Sequence, residues 1–85
     1  MFSKLNFKNG DITFLDQSDL LKEDILQVQY PDDLLLDVGY YEKQYKIFVI
    51  KNLNWEAPTV VCVADNFNDL LCKLQKIINE ISMLK

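Results

Sequence analysis

The chain of 85 residues contains no histidine and no arginine, and all nine of its basic residues are lysines. Histidine is the most frequent general base and metal ligand near neutral pH, so its absence argues against zinc sites and catalytic triads. Arginine recognises phosphates and base edges with two hydrogen bonds, so its absence argues against a nucleic-acid ligand. We therefore expect a protein that is not an enzyme, has no catalytic residues and needs no metal or other cofactor.

Cysteine is also scarce, with Cys62 and Cys72 as the only examples. Their spacing does not match a C-x-x-C motif, and two cysteines do not make a disulfide framework. The first residues lack the apolar core of a signal peptide, and no stretch approaches the roughly 20 apolar residues of a membrane span. We expect a cytoplasmic protein that does not bind membranes, with two free thiols that fill apolar space.

Acidic and apolar residues are abundant. Thirteen acidic residues give a net charge of −4 and a pI near 4.6, which favours a basic protein partner. Apolar residues make up 49% of the chain, enough for a core, and the length allows a single domain over residues 1–85.

The apolar pattern between residues 25 and 64 predicts four antiparallel strands: ILQVQY, LLLDVGYY, YKIFVIK and TVVCVA. Pro31 predicts a type I turn between the first two. A helix over Asn66–Met83 follows from apolar residues at three- and four-residue steps, with Asp65 as its N-cap. On the sheet face toward this helix we expect Leu26, Val28, Leu36, Val38, Ile47, Val49, Val61 and Val63. On the opposite face we expect Gln27, Gln29, Asp37, Tyr41, Lys46 and Phe48.

The sequence pattern of the N-terminal third is less regular and predicts its elements less clearly. Lys8-Asn9-Gly10 favours a hairpin between KLNF and DITFL, which would add up to two strands. Residues 16–24 form a polar connection in which Ser18 or Asp19 could start one helical turn. The predicted fold class is α+β: an antiparallel meander of four to six strands with one long C-terminal helix packed on one face.

Candidate partner-binding residues lie on the turns and on the mixed sheet face. Asp37 is unusual in the middle of a strand, and three interpretations stay open: an exposed face, an ion pair with Lys46, or an acidic contact to a partner. Trp55 either closes the end of the sheet or anchors a partner, since exposed aromatics are favoured anchors. One predicted patch comprises Asp32, Asp33, Asp37, Tyr41 and Glu42. A second comprises Trp55 and Glu56.

Three motifs add a family resemblance: Asp37-Val38-Gly39-Tyr40-Tyr41, Val49-Ile50-Lys51, and Trp55-Glu56 with Pro58. With the C-terminal helix, they resemble small bacterial immunity proteins encoded beside polymorphic toxins, including those of contact-dependent growth inhibition. The resemblance covers about residues 25–81. It implies a non-enzymatic cytoplasmic antidote, monomeric or homodimeric, that binds and neutralises one cognate toxin domain. Such toxins are often nucleases with basic clefts.

Two other classes of function remain open from the sequence. One is a small non-enzymatic module that forms homodimers through a strand edge or the mixed face. The other is a small hydrolase, for which the sequence supplies no nucleophile and base pair.

Overall fold

The computed structural model of the chain describes Phe2 and residues 5–16 and 24–82. Its strands form because apolar side chains alternate with polar ones or fill both faces of a central strand. Its helix forms where apolar residues recur at steps of three and four residues. The elements are β1 (Asp11–Leu15), β2 (Leu26–Tyr30), β3 (Leu34–Tyr41), β4 (Gln44–Lys51), β5 (Val60–Ala64) and α1 (Phe67–Ser82).

The five strands form one antiparallel sheet in the order β1-β2-β3-β4-β5, so each strand pairs with its neighbours in the chain. Helix α1 lies on one face of this sheet, against β4 and β5. The predicted α+β meander with one C-terminal helix is confirmed. Among the described residues, no helix combines the length and apolar character that crossing a bilayer requires.

The core lies between the sheet and α1. Period-two alternation in β2, β3 and β4 supplies the sheet side of this core, as predicted, and the apolar stripe of α1 supplies the other side. Phe2 adds a buried ring whose centroid lies 5.4 Å from that of Phe67. The buried members are Phe2, Ile25, Leu26, Val28, Tyr30, Leu34, Leu36, Val38, Tyr45, Ile47, Val49, Ala64, Leu70, Leu74, Ile77, Ile78 and Ile81.

The face assignment of β5 was wrong. Cys62 lies opposite Ile47 and joins the core side, together with Val60 and Ala64, whereas Val61 lies opposite Phe48 on the other face. Val63, opposite Lys46, shares that other face. The residues of TVVCVA are apolar or small at every position, so their alternation could not indicate which face meets the helix.

Two further local predictions were wrong. The N-cap of α1 is Asn66, whose Oδ1 accepts a 2.8 Å hydrogen bond from the Asp69 amide, while Asp65 accepts one from Gln44 Nε2 at 3.3 Å. The turn after Pro31 is not type I, because Asp32 and Asp33 have φ angles of 66° and 58°. Aspartate tolerates this left-handed region better than most residues, which explains the choice of sequence there.

The prediction of an N-terminal hairpin was also wrong. A turn does occur at Lys8, where the Gly10 amide donates to the Phe7 carbonyl at 3.1 Å, but β1 pairs with β2. Residues 5–7 cross toward the helix instead. The Asn6 amide donates to Gln75 Oε1 at 2.9 Å, and Gln75 Nε2 donates to the Asn6 carbonyl at 3.0 Å. The predicted helical turn at Ser18 or Asp19 and the helix end at Met83 lie outside the described residues.

Gly10 is required by close packing. A Cβ at this position would lie 2.5 Å from Cζ of Tyr30, well inside van der Waals contact. Burial raises the pKa of Tyr30 to about 12, so its hydroxyl stays protonated and donates to the Phe7 carbonyl at 2.9 Å. The start of β1 is thereby fixed against β2.

Candidate functional site

The residues predicted to form one acidic patch lie at opposite ends of the sheet. Asp32 and Asp33 occupy the turn before β3, whereas Tyr41 and Glu42 lie at its far end. Eight strand residues separate the two ends by about 26 Å, at roughly 3.3 Å per residue. A partner that contacts both ends would have to cover the whole length of β3, so we describe the two ends as separate candidate sites.

Asp33 instead lies beside the loop that follows β4. Leu34 pairs with Lys51, and the Asn52 amide donates to the Asp33 carbonyl at 3.0 Å. The meander therefore joins the first two residues of one predicted patch to the whole of the other. Leu53 lies in the same loop and joins them. We call this set the loop-end surface, and it comprises Asp32, Asp33, Leu53, Trp55 and Glu56, all of them exposed.

The loop after β4 has a defined backbone. Asn54 donates to the Lys51 carbonyl at 3.1 Å, and Asn52 and Leu53 have φ angles of 54° and 58°. A left-handed conformation is uncommon for leucine, and it leaves this side chain 69% exposed. Trp55 follows at 48% exposure. The loop thus presents two large apolar side chains to solvent instead of folding them onto the core.

The charge of the loop-end surface is negative. Asp32, Asp33 and Glu56 contribute three carboxylates, and Lys51, the last residue of β4, is the basic residue next to them. Exposed carboxylates grouped in this way raise the local concentration of cations and steer basic partners during encounter. The surface therefore combines apolar anchors with a charged rim, which is the usual composition of a protein-binding patch.

Asp37 lies beneath the surface. It pairs with Gln27 on β2 and Phe48 on β4, its side chain is only 3% exposed, and its carboxylate accepts a 3.0 Å hydrogen bond from Gln27 Nε2. The interpretation of an exposed face is therefore wrong. The ion-pair contact of Lys46 is with Glu42, at 3.9 Å, so the interpretation of a pair between Lys46 and Asp37 is wrong as well. The role of Asp37 as a partner contact stays a prediction, but at this exposure Asp37 offers a partner almost no area.

Burial raises the pKa of Asp37 above its ordinary value of 3.8; the hydrogen bond from Gln27 opposes this, and the charge of Asp24 adds to it. A folded-state pKa above the unfolded one means that the folded protein binds the proton more tightly. The contribution of Asp37 to stability therefore falls as the pH rises from the unfolded value through the folded one. At neutral pH this buried carboxylate is a net cost to folding.

We predict that Asp37→Asn stabilises the protein at pH 7, by on the order of 1 kcal/mol, because an amide has no charge to desolvate and still accepts from Gln27. The advantage should shrink as the pH falls through the raised pKa of Asp37, because the parent carboxylate then takes up its proton. Urea melts of both proteins at pH 4, 5.5 and 7 measure this. A variant that is less stable than the parent at pH 7 would contradict it.

The opposite end of the sheet is less suited to binding. Tyr41 is half-buried, with its ring centroid 6.2 Å from that of Phe48 in an edge contact. Glu42 and Lys43 form the two-residue loop between β3 and β4, with φ angles of 50° and 67°. Glu42 is well exposed, while Tyr41 already has a packing partner, so this end offers charge with little accessible apolar area.

Sequence reasoning missed two features of the site. Leu53 lies in a polar loop and was given no role from the sequence, because no pattern indicated that it would be exposed. The meeting of the two patches at one end of the sheet could have been predicted from the sequence. Counting residues outward from the two-residue loop at Glu42 places Leu34 opposite Lys51. That register brings the turn at Asp33 next to the loop that carries Trp55.

The two cysteines are unpaired, as predicted, but only one of them fills apolar space. Cys62 packs against the core, whereas Cys72 is exposed on α1. Within the described ranges, no three acidic or cysteine side chains are grouped closely enough to hold a metal ion.

Comparisons of the chain with models of protein families, with curated proteins and with solved structures find no match.

Proposed function

We propose that this protein is an immunity protein that binds a basic bacterial toxin domain in the cytoplasm and neutralises it by non-covalent occlusion. The observation that carries the proposal is the loop-end surface, where exposed Trp55 and Leu53 share one end of the sheet with three exposed carboxylates. The protein acts by occupying a surface of the toxin and performs no chemistry itself.

The arrangement suits a tight and selective protein contact. A tryptophan provides a large contact area with few rotatable bonds, so it loses little entropy on binding. The Asn52–Asp33 hydrogen bond and the left-handed residues hold the loop in shape before the partner arrives, which lowers the cost of association. The carboxylates around the anchors favour a cationic cleft such as that of a nuclease.

The sequence resemblance supports the same surface. Trp55, Glu56 and Pro58 belong to the motifs that carry the resemblance to immunity proteins, and the first two lie on the loop-end surface. The motif around Asp37 instead supplies the centre of the sheet, where it positions strands. The motif around Asp37 therefore supports the resemblance in fold, whereas Trp55 and Glu56 support a resemblance in the binding surface.

A homodimeric assembly module is the second candidate function. It is favoured by β1, an edge strand whose five residues are all exposed. Sedimentation of the protein alone and mixed with the toxin domain separates the two candidates. An assembly module is a dimer whose mass does not change when the toxin domain is added. An immunity protein instead forms a one-to-one complex with its toxin, whether or not it also dimerises.

The carboxylates provide the specific test. We expect Asp32→Asn, Asp33→Asn and Glu56→Gln, combined in one variant, to slow association with the toxin domain encoded beside this gene by about tenfold at low salt. Dissociation should change little, because rim charges act mainly on encounter. The association rate of the parent should also fall as salt rises, since exposed charges are screened beyond about 10 Å at 0.1 M. Surface plasmon resonance at 20 and 300 mM salt measures both.

Glu42→Gln is the matched control, because it removes one well-exposed carboxylate from the far end of the sheet. It should leave the association rate within about twofold of the parent. An equal slowing by Glu42→Gln would move the binding surface to the β3–β4 end. An association rate that ignores both salt and the triple substitution would contradict the electrostatic part of the proposal.

A further inference from the structure

Strand β1 presents an unusual run of exposed apolar side chains. Ile12, Phe14 and Leu15 are each at least 40% exposed, and they supply half of the large exposed apolar residues in the described part of the chain. All three fall within four consecutive residues at the edge of the sheet. Neither the core nor the loop-end surface accounts for them.

The two edges of the sheet differ in protection. At β5, the Lys73 ammonium donates to the Val63 carbonyl at 2.8 Å and is held there by Asp69 at 3.0 Å, so a charged side chain covers part of that edge. Strand β1 contains no lysine, and its Thr13 hydroxyl donates inward to the Gln27 carbonyl at 3.3 Å. Lysine on an edge is a usual means of preventing strand addition, and β1 lacks it.

The register of β1 gives this edge a distinct chemistry. Ile12 lies opposite Val28 and Leu15 opposite Leu26, so both are on the helix-facing side, while Phe14 lies opposite Gln27 on the other face. The register shifts between Ile12 and Phe14. An added strand therefore needs apolar side chains on both of its faces and must tolerate a bulge, which makes the edge selective.

A second copy of this chain fits the edge less well than a basic segment does. The antiparallel register centred on Thr13 pairs all five residues of β1 with the second copy and places Asp11 opposite the apolar Leu15 at both ends. Neither residue then gains the apolar or opposite-charge contact that stabilises a strand pair. The net charge of −4 on each copy adds repulsion between the two copies.

We infer that β1 is the docking edge for an extended segment of the basic partner, which adds a sixth strand to the sheet. The segment has apolar residues at its centre and a lysine or arginine at the end that meets Asp11. Main-chain hydrogen bonds hold the strand, and the charge of Asp11, together with the net negative charge of the protein, selects a basic segment. The inference rests on the proposed function in its choice of partner, the toxin domain.

Ile12→Lys tests the inference, because it places on β1 the type of residue that covers β5 and repels a basic strand. We expect the affinity for the toxin domain encoded beside this gene to fall at least about tenfold. Val61→Lys is the matched control: Val61 is 55% exposed, close to the 48% of Ile12, and lies on the edge that Lys73 already covers. It should bind within about twofold of the parent.

Amide hydrogen exchange of the parent provides a second measurement that does not depend on the variant folding. Outward-facing amides of β1 should exchange more slowly in the complex, while those of β5 should not change. If Ile12→Lys binds like the parent and β1 gains no protection, the inference falls, and the proposed function stands if Trp55→Ala still loses affinity. If the parent does not bind the toxin domain, both fall. A parent dimer that Ile12→Lys converts to monomer would assign the edge to a second copy and overturn the inference.

Discussion

Leu74→Asp should leave the protein unfolded at 25 °C. Leu74 is fully buried in the core between α1 and the sheet. Its replacement removes about 2–5 kcal/mol of packing and buries a carboxylate without a partner, which costs several kcal/mol more. A chain of 85 residues has roughly 4–13 kcal/mol of stability in total. Circular dichroism and urea titration measure the loss.

Lys76→Asp is the control on the same helix. Lys76 is exposed, two residues from Leu74, and reversing its charge should change the free energy of unfolding by no more than about 0.5 kcal/mol. Equal losses at the two positions would show that the helix buries a different face. The pair thus tests the packing of α1 independently of any partner.

Trp55→Ala should have the largest effect on binding of the proposed toxin partner. Trp55 is an exposed member of the loop-end surface and lies outside the buried core, so its loss should spare folding. If it anchors the partner, truncation costs about 2 kcal/mol or more, equivalent to roughly thirtyfold in affinity. The loss should appear mainly in the dissociation rate, because the steering carboxylates remain in place.

Trp55→Phe separates anchoring from loop folding. Phenylalanine keeps an apolar ring at the same position, so this variant should recover most of the affinity. Biolayer interferometry on the parent and both variants, with thermal melts of each, provides the comparison. Parent-like dissociation of Trp55→Ala would remove the loop-end surface from the interface and leave the far end of the sheet, with Tyr41 and Glu42, as the candidate.

The fold was predictable where side-chain alternation was clear. Leu26 and Val28 alternate with glutamines on β2, and Leu36 and Val38 flank Asp37 on β3. The faces of these strands, and of β4 beside them, followed from this pattern. In β5 every position is apolar or small, so the pattern had no period and the face was assigned wrongly. The N-terminal hairpin failed because a turn signal fixes a bend and does not choose the strand that pairs beyond it.

The site was harder to predict because it depends on distances across the sheet. Asp33 and Tyr41 are close in sequence but separated by a whole strand, whereas Asp33 and Asn52 are far apart in sequence and joined by a hydrogen bond. Asp37 illustrates a second difficulty. A polar residue in a strand signals an exposed face or a buried hydrogen bond equally well, and the Gln27 partner on β2 is visible only once the register is known.

The central claim is tested most directly by the growth of bacteria that express the toxin domain which we propose is encoded beside this gene. We expect cells to survive when this protein is co-expressed with that domain and to die when it is absent or replaced by Trp55→Ala. The purified pair should form a stable one-to-one complex whose affinity falls with salt. Survival that does not require this protein, or a purified toxin domain that does not bind it, would contradict the account.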